Sequence, residues 1–457
     1  MTIPEPGDPH YSGPMLPSYS EAPPRRSVGL APIRILSVSD SESYLKWATQ
    51  LLSSLPDVEG RVFLIDNPIL PTDEQIASAV AGTDWQHREV PVISRSDLAQ
   101  VITDHSPDIV LGAATGPIVA QVFLTAHTRT HRPALVSGLP GMGLPASGKG
   151  MNYRRLMDAF IAHSSAEVAA YTEASARSQV PCEVLLARLP MLRSVGIPRR
   201  GQTDSTTSEA APPSPSPATS SAGAPHSDSL TAPRSLATPR TLVFAPQAKV
   251  PAERADREAV IAALAAFADQ HPESTAVIKM RSRPGEFETH HEQHSYVEIL
   301  EDLRARNVPG AARIELGYGP LSDFLGSGSA LVTVSSTAAL ESIDRGVPTL
   351  LISDFGFNAE LLNEVFEDSG ATGSLSDVAS GAIGFPDPEW LAANYFHPVD
   401  GQLRRDLGLL ATRAQTSQLP NRRAALLKQK RMLLRAELRT VTPAPVITAY
   451  RKLRNLR

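Results

Sequence analysis

The sequence predicts an α/β fold of two doubly wound, Rossmann-like domains facing each other across a cleft. Three observations carry this expectation. β-Branched runs alternate with amphipathic runs from residue 33 to 186, the alternation restarts at 242, and a long stretch of Ser, Thr, Ala and Pro separates the two series. Strands alternating with helices are the pattern of a parallel sheet covered on both faces. At 457 residues the chain exceeds one ordinary core and suits two domains plus tails.

Residues 1–30 are rich in Pro, Ser and Glu with few apolar anchors, so a disordered tail is expected there. The first domain is placed at 31–200. Its strands are expected over 33–38, 61–65, 90–93, 109–111, 134–136 and 159–162, with helices over 44–55, 73–81, 96–105 and 117–126 between them. Another helix opens at Ser164 or Ser165, and after 182–186 the periodicity stops. Residues 201–240, which include PPSPSPATSSAGAP, read as a flexible linker. The second domain, 241–385, opens with a strand over 242–245 and a helix over 251–269. A strand over 275–280, a helix over 295–306, a strand over 313–316 and a short helix over 321–325 follow. Residues 386–457 are expected to form C-terminal helices ending in a basic tail.

Composition narrows the function classes. With 42% hydrophobic and 20% charged residues the chain has the balance of a soluble globular protein, while 40 prolines exceed what regular elements hold. The single cysteine, Cys182, cannot close an internal disulfide, and no Cys/His spacing suggests zinc, so a cytoplasmic protein without a metal or other cofactor is expected. No apolar run approaches the roughly 20 residues of a membrane span, and the start lacks a basic then apolar signal pattern. The net charge of −5 conceals an asymmetry, because residues from 422 onward carry +10 and leave −15 for the rest. An acidic body argues against a nucleic-acid partner. Residues 420–441 set leucines and cations at helical spacing, which suits either packing across the domains or an anionic membrane surface.

The most informative stretch is 330–357, ALVTVSSTAALESIDRGVPTLLISDFGF. A strand-like run over 331–334 ends in Ser335, Ser336 and Thr337, where Ala338, Ala339, Leu340 and Ile343 begin a helical spacing. Gly346 stops that helix and a second strand runs to Ile352, giving a βαβ unit. The turn after such a strand faces the ligand crevice, so the three hydroxyls either cap the helix or meet a phosphate. Lys279 and Arg281 alternate at the end of another strand and suit the same phosphate.

In the first domain, the turn after the first strand carries Asp40 and Glu42, candidate bases that alternatively cap the following helix. The long loop over 138–153, GLPGMGLPASGKGMNY, is a candidate phosphate or acceptor loop or a lid, with Gly141, Lys149 and the following Arg154 as its binding residues. His163 ends the next strand, either as a hydrogen-bonded structural histidine or as a base.

These residues resemble the donor-binding half of GT-B glycosyltransferases, in particular polysialyltransferases, capsule Kdo transferases and CDP-glycerol glycerophosphotransferases. The shared pattern is a strand ending in Ser335 and Ser336, a helix bearing Glu341, then the Gly346-Val347-Pro348 turn. The layout is also similar to a group of actinobacterial glycosyltransferases. The resemblance implies a nucleotide-activated donor held by Gln247, Lys279, Arg281, Ser335, Ser336, Thr337 and Glu341. It further implies a glycan or lipid-linked acceptor and work at the inner face of the plasma membrane. Two departures stand out. The families carry a basic histidine where this chain has Gly138 and Leu139, and a Lys-x-His-Pro run where it has Lys279, Met280 and Arg281. A UDP-sugar 2-epimerase-like enzyme and a non-catalytic nucleotide-binding or scaffold protein are the competing classes.

Overall fold

Two parallel sheets organise the chain. The computed structural model describes residues 32–192, 238–280 and 292–441, with side chains to 435. The expected tail over 1–30, Arg281 and nearly all of the linker over 201–240 lie outside the described residues.

The first sheet holds β1 (Ile33–Ser39), β2 (Val58–Ile65), β3 (Val92–Ile93), β4 (Ile109–Ala113), β5 (Ala134–Gly138), β6 (Ala159–Ala162) and β7 (Glu183–Leu186). Helices α1 (Glu42–Ser54), α2 (Asp73–Val80), α3 (Leu98–His105), α4 (Gly116–His127), α5 (Gly148–Tyr153) and α6 (Ser165–Ser178) alternate with these strands. Its strand order is β3-β2-β1-β4-β5-β6-β7, with every pair parallel. β1 shows why the strands read as continuous apolar runs. Ile33 and Ile35 enter one core while Leu36 and Val38 enter another, because helices cover both faces. In α1, Leu45, Trp47, Ala48, Leu51 and Leu52 recur at helical spacing and are all buried.

The second sheet holds β8 (Thr241–Phe244), β9 (Thr275–Lys279), β10 (Ile314–Gly317), β11 (Ser329–Thr333), β12 (Thr349–Ile352) and β13 (Thr372–Gly373). Helices α7 (Arg254–Gln270), α8 (Tyr296–Ala305), α9 (Ala338–Asp344), α10 (Leu375–Ser380) and α11 (Pro388–Ala393) accompany it. The order is β10-β9-β8-β11-β12-β13, again all parallel. Gly346, with φ 67, ends the α9 segment as the sequence predicts, since a left-handed residue there carries no Cβ penalty.

After α11 the chain returns to the first half through α12 (Gln402–Gln415) and α13 (Arg423–Val441). Leu407, Leu410 and Ala411 of α12 complete the core beneath β1, and the Arg404 guanidinium donates to the carbonyls of Pro56 and Asp57. The same apolar cluster runs on into the second half through Val243, Ala338, Leu340 and Tyr395. The two doubly wound halves are therefore packed together, in the GT-B-like arrangement the sequence predicts.

Candidate functional site

A doubly wound sheet opens a crevice where its strand order reverses, beyond the carboxyl ends of the two central strands. This molecule has two such points. In the second half the point lies between β8 and β11, and a cavity of ≈ 480 Å³ occupies it. Its wall carries Gln247, Lys249, Lys279, Ser336, Thr337 and Glu341. A larger cleft of ≈ 580 Å³ lies against it between the halves and shares Gln247, Thr337 and Leu362. The other face of this cleft is Ser43, the loop from Leu139 to Pro145, and Arg154.

The hydroxyls expected at the donor site separate. Ser335 is fully buried and its Oγ donates to the Leu362 carbonyl at 2.9 Å, while its own carbonyl accepts from Gln247 Nε2. Ser336 is half-buried on the cavity wall, and its Oγ accepts from the Ala338 N–H at 3.2 Å. Thr337 turns toward the first half, where a Cβ added at Gly141 would come within 2.7 Å of its Cγ2. Glu341 faces the cavity and pairs with Lys46 of α1 across the halves at 3.3 Å.

Lys249 is a site residue that sequence reasoning did not identify. It stands exposed in the loop after β8, on the cavity wall that Lys279 also lines. The loop is fixed from below by Arg257 of α7, which is fully buried. Its guanidinium donates to the Ala248 carbonyl at 2.6 Å and the Pro251 carbonyl at 2.8 Å, on either side of Lys249. It also donates to the His294 carbonyl at 2.6 Å, pairs with Glu292 at 2.7 Å and lies 4.7 Å from the Tyr296 ring centroid. A buried arginine is tolerated only with its donors matched in this way. An Arg inside an Ala-rich helix is the one signal the sequence offered.

The matching point of the first half, between β1 and β4, is filled. Asp40 has no exposed surface, and its Oδ2 accepts from both the N–H, at 2.9 Å, and the hydroxyl of Thr115. Burial raises the Asp40 carboxyl above its ordinary pKa, although the Thr115 and Ser41 hydrogen bonds oppose the shift. Glu42 is half-buried in the first turn of α1, next to the cleft-lining Ser43. Arg154, only 4% exposed, holds Ser137 Oγ at 2.9 Å and reaches Tyr44 Oη at 3.4 Å, so it forms part of the cleft floor. Lys149 sits exposed on α5 and does not line the cleft.

His163 is buried with both ring nitrogens engaged. Nε2 accepts from Trp47 Nε1 at 2.9 Å, and Nδ1 pairs with the Ala187 carbonyl at 2.9 Å. This is the structural arrangement that the sequence left open beside a base. The same tryptophan explains Gly138, because an added Cβ there would lie 2.6 Å from Trp47 Cζ2 and 3.0 Å from the Ile161 carbonyl. Of the two positions where the resembling families carry histidine, Gly138 has no room for a side chain and Leu139 packs on the core beside the cleft.

Elsewhere, a cavity of ≈ 690 Å³ lies at the opposite end of the first sheet, between Arg34, Arg129, Arg132 and Gln415. The C-terminal ends of α3, α4 and α12 border it, and their carbonyl ends oppose an anion, so its arginines gain little as a phosphate site. Among the described residues no group of three or more His, Cys, Asp or Glu side chains is arranged to hold a metal ion. No described helix is long and apolar enough to cross a membrane.

Residues 35–410 match the model of a family described as "Putative glycosyltransferase (DUF6716)". The chain belongs to that family, which is one of glycosyltransferases. No curated protein matches it. Among solved structures it is similar to a Listeria monocytogenes protein described as a "putative UDP-N-acetylglucosamine 2-epimerase". That likeness has 14% identity and a TM-score of 0.48, and covers 86% of this chain and 99% of the other. It is also similar to the S. aureus MnaA–UDP complex, with 12% identity, TM-score 0.47, and 88% and 95% of the two chains covered. A third is the lipopolysaccharide outer core galactosyltransferase WaaB, with 11% identity, TM-score 0.43, and 85% and 100% covered. Likenesses at these values carry no weight for function, and the fold rests on the two strand orders.

Proposed function

We propose that this chain transfers a sugar or related group from a nucleotide-activated donor to an envelope or capsule glycan acceptor, free or lipid-linked. The observation that carries this reading is the cavity at the second switch point, where two lysines, a serine, a threonine and one carboxylate share a wall. Lys249 and Lys279 meet the donor phosphates, Ser336 and Thr337 donate to them, and Glu341 accepts from a ribose diol. Cations fixed beside the departing phosphate stabilise the charge that develops as the sugar leaves, which is where preorganised groups lower a barrier. The likeness to polysialyltransferases, Kdo transferases and glycerophosphotransferases, read from the stretch between Ser335 and Pro348, supports the same donor class.

The acceptor enters the cleft between the halves, over the Gly141 loop and Arg154. Of the three candidate bases, Asp40 and His163 are sealed inside the first half, at 0% and 1% exposure. Glu42 therefore takes the acceptor proton, Asp40 holds the turn that presents it, and His163 supports the floor. A base must come within hydrogen-bond reach of the hydroxyl it deprotonates, and Glu42 alone of the three has exposed surface. The scheme requires no cofactor. Work at the inner face of the plasma membrane, with the basic C-terminal helix on the lipid, completes the reading.

Thermal-shift titration of the full chain with CMP, CDP, UDP and GDP tests it. One nucleotide is expected to raise the melting temperature with concentration, the folded state gaining about 2.7 kcal/mol of stability at a hundred times its Kd. Replacing Lys249 and Lys279 by Ala should abolish that rise. If none of the four stabilises the chain, the donor reading fails. Conversion of UDP-N-acetylglucosamine to its 2-epimer without acceptor would assign the cavity to an epimerase instead.

A further inference from the structure

Helix α13 has two leucine-bearing faces with different partners. One face packs on the first half beside α4. Ala425 and Leu426 join its core, Gln429 is fully buried with Nε2 donating to the Tyr153 carbonyl at 3.3 Å, and Arg422 bonds the Pro181 carbonyl and Asp158. The other face points away from the protein. Leu427 and Leu434 are 58% and 56% exposed, among the few large apolar side chains left open in the described residues.

Their position on the helix matters more than their exposure. At about 100° per residue, positions seven apart fall within roughly 20° of each other, so the two leucines form one stripe. By the same geometry Arg423 and Lys430 flank the stripe on one side, and Arg431, Arg435 and Lys428 on the other. All five cations are exposed, and between 423 and 435 this face carries no acidic residue, with Glu437 seven residues beyond Lys430 the one acid of the helix against them. Apolar side chains centred between two cationic rows match a surface that is anionic at its outer level and hydrocarbon just beneath. A nucleic-acid backbone would use the cations but leave the leucines in water. A helix packed on the body has no need of a second apolar stripe.

We propose that the Leu427/Leu434 stripe of α13 docks the protein on an anionic lipid surface, with the opposite face holding the helix to the first half. This supplies residues for the membrane part of the function proposed above, rests on that part alone, and is independent of what the cavity binds. It also places the ends of the cleft at a fixed attitude to the lipid, because the packed face leaves α13 no freedom to reorient. The remaining sequence, with Arg451, Lys452, Arg454 and Arg457, adds charge of the same sign.

The test uses the full chain with sedimented vesicles of phosphatidylcholine mixed with phosphatidylglycerol, and of phosphatidylcholine alone. Binding to the anionic vesicles is expected at low salt, falling as salt rises, with little binding to the neutral ones. The pair Leu427→Gln with Leu434→Gln should weaken it at least tenfold, and so should Lys430→Gln with Arg431→Gln, both with an unchanged melting temperature. Nucleotide stabilisation, followed in the same samples, should persist in both variants. The proposal is overturned if the parent protein ignores anionic vesicles at low salt, or if the leucine variant binds them as well as the parent does. It is also overturned if that variant shifts the oligomeric state, which would assign the stripe to a second copy. Vesicle binding without any nucleotide stabilisation would leave the docking surface standing and remove the donor reading.

Discussion

The two halves share a strand order up to the sixth strand and differ in what fills the place where that order reverses. In the first half the crevice between β1 and β4 is closed by the protein's own groups, an Asp40 carboxylate on the Thr115 N–H and hydroxyl. In the second half the crevice between β8 and β11 is a cavity, with the Lys249 loop held open by Arg257 underneath. Topology sets where a ligand can sit, but the loop decides whether room is left. A carboxylate anchored to the facing turn closes one site. A loop whose carbonyls are tied to a buried guanidinium, with its lysine turned out, leaves the other open.

The largest expected effect sharpens this contrast directly. Replacing Lys249 and Lys279 together by Ala should weaken nucleotide binding about a hundredfold, taking each charge-assisted contact at the lower end of about 1.5–3 kcal/mol, with little change in melting temperature. Titration calorimetry against the stabilising nucleotide reads it, and a loss of only twofold would mean that the cavity is not the phosphate site.

Next, Thr115→Val should cost about 1–3 kcal/mol of stability, since Asp40 Oδ2 loses one of its donors in a buried site. Nucleotide affinity should stay within a factor of two, because the closed crevice takes no ligand. Urea unfolding with parallel binding measurements separates the two quantities.

A pH series tests the same carboxylate. Its folded pKa is raised, so between the unfolded and folded values the native state holds more protons and stability falls as pH rises. The burial penalty of Asp40 is absent below the ordinary carboxylate value, about pH 4, and fully present above its raised folded value. Asp40→Asn should remove this component, leaving a flatter stability profile from about pH 4 upward. An unaltered profile would mean that Asp40 carries no strain.

The smallest effect belongs to the contact between the halves. Lys46→Ala breaks a partly exposed pair with Glu341 and should change stability by less than about 1 kcal/mol. It should raise nucleotide affinity slightly, by freeing the Glu341 carboxylate. Weaker binding in this variant would show that Lys46 itself touches the donor.

The fold was largely readable because its strands are buried on both faces. The runs at 33–38, 109–111, 242–245 and 331–334 each overlap an observed strand, since β-branched and apolar residues persist through them. The short helix expected over 321–325 is a single 3-10 turn over Leu321–Asp323, where a Pro before and glycines after shorten the element. The site was readable in part. The place of Ser336, Thr337 and Glu341 on the cavity wall was legible because the SST turn ends a strand and Glu341 stands one turn into the helix that follows. Lys249 was not, because an exposed lysine in a loop has no periodicity, and its placement depends on Arg257, eight residues on and inside the core. The inward turn of Ser335 was equally hidden, since only the Leu362 carbonyl across the fold directs it. The burial of Asp40 had the same kind of cause, a partner 75 residues away in Thr115.

The return of α12 and α13 to the first half means that the first half is built from both ends of the described chain. The second half is a continuous insert between them. A cut in the linker would therefore give two pieces that stay together, since the later piece carries Leu407, Leu410 and Arg404 into the core of the earlier one. The insert can be treated as a cassette. Exchanging 238–393 between relatives would transplant the cavity between β8 and β11 whole while the Gly141 loop and α13 stayed behind, so under the proposed function donor and acceptor specificity would vary independently with two joins.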